Sequence, residues 1–190
     1  PDHARQIKLL RGIRTSKGVK KVFITSGLRY DLVLADKQNG EAYLAELVNH
    51  HVSGQMKVAP EHCQDTVLAC MGKPGRDSLV HFRELFYRMT AQEGLKQFLT
   101  YYIIAAHPGC RQQDMQALKR FAQKELKVLP RQVQIFTPTP STWSTLMYWT
   151  GENPLTGQPC FVEKDQQARE RQKTVLTGAV KKRRKNYGRR

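Results

Sequence analysis

Residues 98–110, FLTYYIIAAHPGC, decide the fold. From Phe98 to Ala105 the run is dominated by aromatic and branched residues, which fit a pleated strand. It then stops at His107-Pro108-Gly109, where Pro and Gly end the strand and leave a polar side chain at its C-terminal tip. Three other stretches share this design: 21–31 (KVFITSGLRYD), 54–62 (GQMKVAPEH) and 133–142 (VQIFTPTPST). Helical patterns follow the first three. Alternating strands and helices predict a parallel α/β protein whose strand C-termini carry the site. The clusters Ser-Gly-x-Arg, Ala-Pro-Glu-His, His-Pro-Gly and Thr-Pro-Thr-Pro are then expected side by side. Arg29, Glu61, His107 and Thr137 should share one rim, in sequence order.

Working outward, apolar spacing predicts helices over 6–14 (Ile7, Leu10, Ile13), 40–50 (Tyr43, Leu44, Leu47, Val48) and 65–71. Others are predicted over 78–92 (Phe82, Leu85, Phe86, Met89) and 113–126 (Met115, Leu118, Phe121, Ala122). A short aromatic helix follows over 143–149, and 160–162 reads as a last extended segment. Residues 166–175 can form a charged helix, with disorder beyond. The expected divisions are 1–150 for the strand–helix body, 151–163 for an extension and 164–190 for a basic, disordered tail.

The 190 residues suit about one domain, and 39% of them are apolar, enough for a core. The net charge is +16, and residues 164–190 carry more than half of it. Such a tail favours a polyanion such as RNA, or else is simply solvated. No run is long enough for a membrane span and no signal peptide stands out, so a cytoplasmic protein without a membrane partner is expected. Four cysteines (Cys63, Cys70, Cys110, Cys160) are too few for a disulfide scaffold and read as reduced thiols. They contain no C-x-x-C, so no metal site is assigned within the chain. Neither G-x-G-x-x-G nor a P-loop occurs, which argues against a Rossmann or P-loop sheet.

Each cluster has a chemical and a plain reading. Ser26, Gly27 and Arg29 can donate, allow close approach and clamp a carboxylate, or form an ordinary turn with a surface Arg. Glu61 suits a vicinal diol and His62 can donate or shuttle a proton, or the pair opens a helix. The small residues before His107 leave room for a flat ring, or His107 is a satisfied core histidine. Phe136 and Thr137, stiffened by two prolines, offer carbonyls and hydroxyls to a ligand edge, or form a rigid connector.

The four runs together, with VLACMGKPG after the second and WSTLMYWTG after the fourth, closely resemble the C-terminal half of YgiQ-type radical SAM proteins. The likeness covers about residues 1–175. It implies a partial TIM-type (β/α) barrel in which these runs are the later strands, third to sixth. It also implies S-adenosyl-L-methionine (SAM) as cofactor and reductive SAM cleavage at a [4Fe–4S] cluster. The family's cluster loop, C-x-x-x-C-x-x-C, has no counterpart here. The cluster would therefore come from an N-terminal half acting as partner, and the chain alone is expected to be inactive. Carried over by position, Ser26, Gly27 and Arg29 contact the SAM carboxylate or substrate. Glu61 suits the ribose, with His62 beside it. Ile104, Ala105 and Phe136 flank adenine, near His107 and Thr137. No catalytic residue is assigned. The competing expectations are a basic RNA-associated α/β module without catalysis and an inactive fragment.

Overall fold

The computed structural model describes residues 1–178. Its centre is a three-stranded, fully parallel sheet in the order β1 (Gln55–Glu61), β2 (Phe98–Ala105), β3 (Gln132–Ile135). Val58 pairs with Tyr101, Ile103 with Val133, and a register shift between Val58 and Glu61 loosens the end of β1. The sheet is open, and no closed barrel forms among the described residues.

The first run is corrected by the structure. Residues 21–29 form no strand; they run beside β1 and touch it through one parallel bridge, Leu28 to Val58. Ile24 N–H to His51 O, Leu28 N–H to Lys57 O and a 2.8 Å contact of His51 Nδ1 with Val22 O tie this segment inward. Ser26 and Gly27 interrupt the branched run, and both weaken a strand. The spatial order of the four runs still follows their sequence order.

Helices fill the connections, all in expected stretches except Tyr30–Ala35. They are α1 (Ala4–Arg14), α2 (Tyr30–Ala35), α3 (Gly40–Glu46), α4 (Asp65–Cys70), α5 (Arg76–Gln92) and α6 (Gln112–Phe121). Two end in a π-helical turn: α3 runs into Leu47–His51, and α6 into Ala122–Leu126. After β3 come α7 (Trp143–Thr150), the small hairpin β4–β5 (Glu152–Asn153 with Gln158–Pro159) and α8 (Gln166–Thr177). The extended segment expected at 160–162 joins no sheet. It instead accepts the Gly109 N–H on Phe161 O at 2.7 Å.

The helices cover one face of the sheet. Val58, Leu99, Tyr101, Ile103, Ala105 and Val133 are buried there. Phe82, Phe86, Leu44 and Leu47 build a core beneath β1 and the start of β2. Met115, Leu118, Val67 and Leu176 build another beneath the end of β2 and β3. Leu176 belongs to α8, inside the stretch expected to be a disordered tail. That helix has an apolar edge, packs against α6, β2 and β3, and is capped at its N-terminus by Asp165, which accepts from Ala168 N–H at 2.7 Å. The rest of the expected tail, 179–190, lies outside the described residues.

The opposite face has no such cover. Lys57, Ala59, Thr100, Tyr102 and Ile104 are half-buried and Gln134 is exposed. Wholly buried parallel sheets read as continuous apolar strands. Here the strands alternate, so one face is packed against the helices and the other is left partly open.

Candidate functional site

The open face ends at the strand C-termini, where the polar clusters gather. Glu61 closes β1 with φ 65°, a left-handed conformation that costs a non-glycine residue about 1–3 kcal/mol. Lys73 holds it there. Its ammonium donates to Ala59 O at 2.8 Å and pairs with a Glu61 carboxylate oxygen at 3.3 Å. Lys73 lies in the Gly72-Lys73-Pro74-Gly75 break after α4, which the sequence marks only as a helix stop. Its reach back to the strand end had no signal in local pattern.

Gly27 stands next to the same face. A Cβ there would meet Ala59 Cβ at 3.7 Å, so the glycine leaves a shallow, flat approach over β1. Ser26 instead borders a small gap with Leu47, Val52 and Met56, away from Gly27. Arg29 is exposed but engaged. Its guanidinium makes a bidentate pair with Asp31, at 2.9 and 2.6 Å. That pairing raises Arg29 and holds the Asp31 carboxyl below its usual range.

Tyr102 and Gln134, unassigned from the sequence, face each other on the open side, with the phenol donating to the Gln134 amide oxygen. Burial raises the Tyr102 phenol, and the Glu61 carboxylate adds to the shift. The signal for Tyr102 was present: it sits two residues from Ile104 and Thr100 in the period-2 pattern of β2.

Both histidine candidates lie inside the packed layer. His62 is buried; its Nδ1 accepts from Gln64 N–H at 3.0 Å and its Nε2 faces Cys110 Sγ at 3.6 Å. Burial, and then the neighbouring His107, push its pKa down to about 4. His107 is likewise lowered to about 4 by burial. Its Nδ1 lies 2.7 Å from Pro108 O and must donate there, which leaves Nε2 to accept from the Ser144 hydroxyl at 2.8 Å. Phe136 packs edge-on against His107 with ring centroids 5.0 Å apart. Ile104 lies on the open face, whereas neighbouring Ala105 is fully buried on the helix side. Thr137 is exposed beyond β3, and its hydroxyl donates back to Ile135 O.

The loop from Ala106 to Cys110 is held from below by α8. Gln172, buried in that helix, accepts the Ala106 N–H at 2.9 Å and the Cys110 thiol at 3.3 Å, and donates to Cys110 O at 3.1 Å. Ala106 has φ 55° and needs such a hold. Nothing in a basic, Gln-rich stretch singled out this glutamine. The rim thus brings Gly27, Glu61 and Ile104 to the open side, with Lys73, Tyr102 and Gln134 around them. It does not bring Ser26, His62, Ala105 or His107 there.

Among the described residues no group of three or more His, Cys, Asp or Glu side chains converges as a metal site. These residues therefore do not fit an iron–sulfur cluster. Nor is the rim an enclosed pocket. A cavity of 570 Å³ opens near the other end of the strands, lined by Thr25, Lys57, Phe98, Thr100 and Arg131 among others.

Comparison with known proteins gives the chain a kinship. Residues 131–186 match the family described as domain of unknown function DUF3362. The chain is 52% identical over 182 residues to UPF0313 protein FN0734 of Fusobacterium nucleatum, covering 96% of this chain and 32% of that protein. It is 44% identical over 175 residues to a UPF0313 protein of Clostridium perfringens, covering 92% and 26%. A UPF0313 protein of Clostridium botulinum is 44% identical over 181 residues, covering 94% and 27%. The chain thus spans between a quarter and a third of the length of these relatives.

Proposed function

We propose that UPF0313-like chains of this kind form the SAM- and substrate-side wall of a radical SAM enzyme, with the cluster held by residues outside this stretch of sequence. One observation supports the reading: a parallel sheet leaves a polar face open whose strand ends hold Glu61 and Ile104, with Gly27 in the segment that runs beside β1. A lone surface sheet has no need of such a face. The wall of a partial barrel does, because its inner face lines the cofactor chamber.

SAM, bound at the cluster and reduced there, would supply the radical chemistry. The residues of this chain bind and orient it. The Glu61 carboxylate, steadied by Lys73, accepts from the ribose hydroxyls. Gly27 and Ala59 let a flat ring approach the backbone. Ile104 gives that ring an apolar surface beside the Tyr102–Gln134 pair. Arg29 engages a ligand carboxylate only by giving up Asp31, so its contribution is small.

The test is anaerobic reconstitution with iron and sulfide. The chain alone should acquire no stoichiometric cluster. Joined to a cluster-binding N-terminal half, it should acquire one and cleave SAM. In that assembled protein, Glu61→Ala should weaken SAM binding by about 1.5–3 kcal/mol, the value of a charged hydrogen bond. A stoichiometric cluster in the chain alone would overturn this division of labour. Unchanged SAM affinity in Glu61→Ala would overturn the ribose contact.

A further inference from the structure

The four cysteines fall into two kinds. Cys63 and Cys110 are buried to about 1% and 0% exposure, and burial pushes their thiols up to about 11 and about 12. Cys70 and Cys160 are only half-buried. They come from distant parts of the chain, the last residue of α4 and the segment after β5, yet they meet above the same glycine. A Cβ on Gly109 would stand 2.9 Å from Cys70 Sγ and 3.9 Å from Cys160 Sγ. Gly109 has φ 88°, so the turn leaves that place free for the two sulfurs. The backbone fixes the arrangement, since Gly109 N–H donates to Phe161 O at 2.7 Å and Cys160 N–H donates to Gly151 O at 2.7 Å.

We propose that Cys70 and Cys160 form a reversible disulfide, a modification site that straps α4 to the Cys160–Phe161 segment across the Pro108–Gly109 turn. The co-reactant is a low-molecular-weight disulfide such as oxidised glutathione. The Cys70 thiolate attacks one sulfur of that disulfide; a mixed disulfide forms, the old S–S bond breaks and one glutathione thiolate leaves. Cys160 then loses its proton to water and attacks the Cys70 sulfur, releasing the second glutathione. The two protein thiols are oxidised by two electrons and the external disulfide is reduced to two thiols. Either thiol can make the first attack, with the other resolving the mixed disulfide and the same balance. Burial, and then the adjacent Cys70, push the Cys160 thiol up to about 11. The inference stands on thiol geometry and does not depend on the proposed SAM chemistry. Its structural consequence falls on the turn after β2, which carries the buried His107.

Incubating the 190-residue chain with oxidised glutathione, then digesting it without reductant, tests the proposal. The expected product is a single Cys70–Cys160 cross-linked peptide pair, lost on treatment with dithiothreitol, while Cys63 and Cys110 stay free. The rate should rise steeply with pH as the thiols ionise. C160S should stop at a stable mixed disulfide on Cys70. C70S should form no cross-link and stop at a mixed disulfide on Cys160. Circular dichroism of the two serine variants should match the parent, which separates loss of the cross-link from loss of the fold. Separate glutathione adducts on both cysteines of the parent would overturn the proposal. So would cross-links only between molecules, a pair involving Cys63 or Cys110, or no reaction.

Discussion

The two faces of the central sheet are made from the same strands and have opposite chemistry. In β2, Leu99, Tyr101, Ile103 and Ala105 point to the helices and are buried, while Thr100, Tyr102 and Ile104 alternate with them on the open side. A one-residue change of register would exchange the two sets, so burying the first set is what fixes the strand. The difference teaches which side chains of the sheet carry the packing and which are left free of it. The helix side holds the fold together, and the open side carries side chains that the packing does not fix.

The largest effect should come from the helix side. Ile103 is fully buried between β1, β3 and the core of Met115 and Leu118. Ile103→Ala removes three carbons and leaves a cavity there, and should lower unfolding free energy by about 2–5 kcal/mol. Ile104→Ala, one residue on and half exposed, should lose only about 1 kcal/mol. Urea denaturation of both variants compares the faces directly. Equal losses would mean that the open face is packed as tightly as the other.

Acid should act next, again through the packed side. In the unfolded chain, both histidine rings take up a proton as pH falls through about 6.5. In the fold, His62 and His107 resist until about 4. Between those values the unfolded state binds more protons, so stability is fully present above about 6.5 and is lost as pH falls toward 4. Each ring should contribute on the order of 2–3 kcal/mol to that loss. Melting curves from pH 7 to pH 4 would check it, and His107→Gln should flatten the slope by roughly half. A parent protein equally stable at both ends would show that the rings are not held neutral.

The same contrast explains what the sequence disclosed. The helices were legible, because buried side chains such as Phe82 and Phe86 recur at helical spacing over long stretches. Strand order was legible from the rhythm of the four runs. The first run was over-read: its apolar residues suit a strand, but a segment with a single bridge to β1 lacks the partner that would make it one. Glu61 and Gly27 were singled out by position at the end of an apolar run and Ile104 by the resemblance, and all three lie at the open face. His62 and His107 stood out as well, but a polar residue after a strand can turn into the packed layer as easily as onto the rim. Lys73 and Gln172 could not be found locally. Each acts across more than ten residues of chain, one on the Glu61 strand end and the other on the Ala106 loop. The thiol pair was hidden for the same reason, since 89 intervening residues separate Cys70 from Cys160.

The smallest effect should come from the open face itself. Tyr102→Phe removes the hydroxyl that donates to Gln134 and keeps the ring. Both partners have access to water, so solvent replaces much of what is lost, and the cost should be about 0.5–1 kcal/mol. That is far below the loss expected at Ile103. The near-neutral result is the sharper half of the comparison. The phenol is raised by burial and then by the Glu61 carboxylate, on a face that does not need it for folding. Chemical denaturation of Tyr102→Phe beside Ile103→Ala measures the gap. If the tyrosine variant lost as much as the isoleucine variant, the hydroxyl would be part of the packed structure, and the separation of the two faces would fail at the residue where it is most exposed to test.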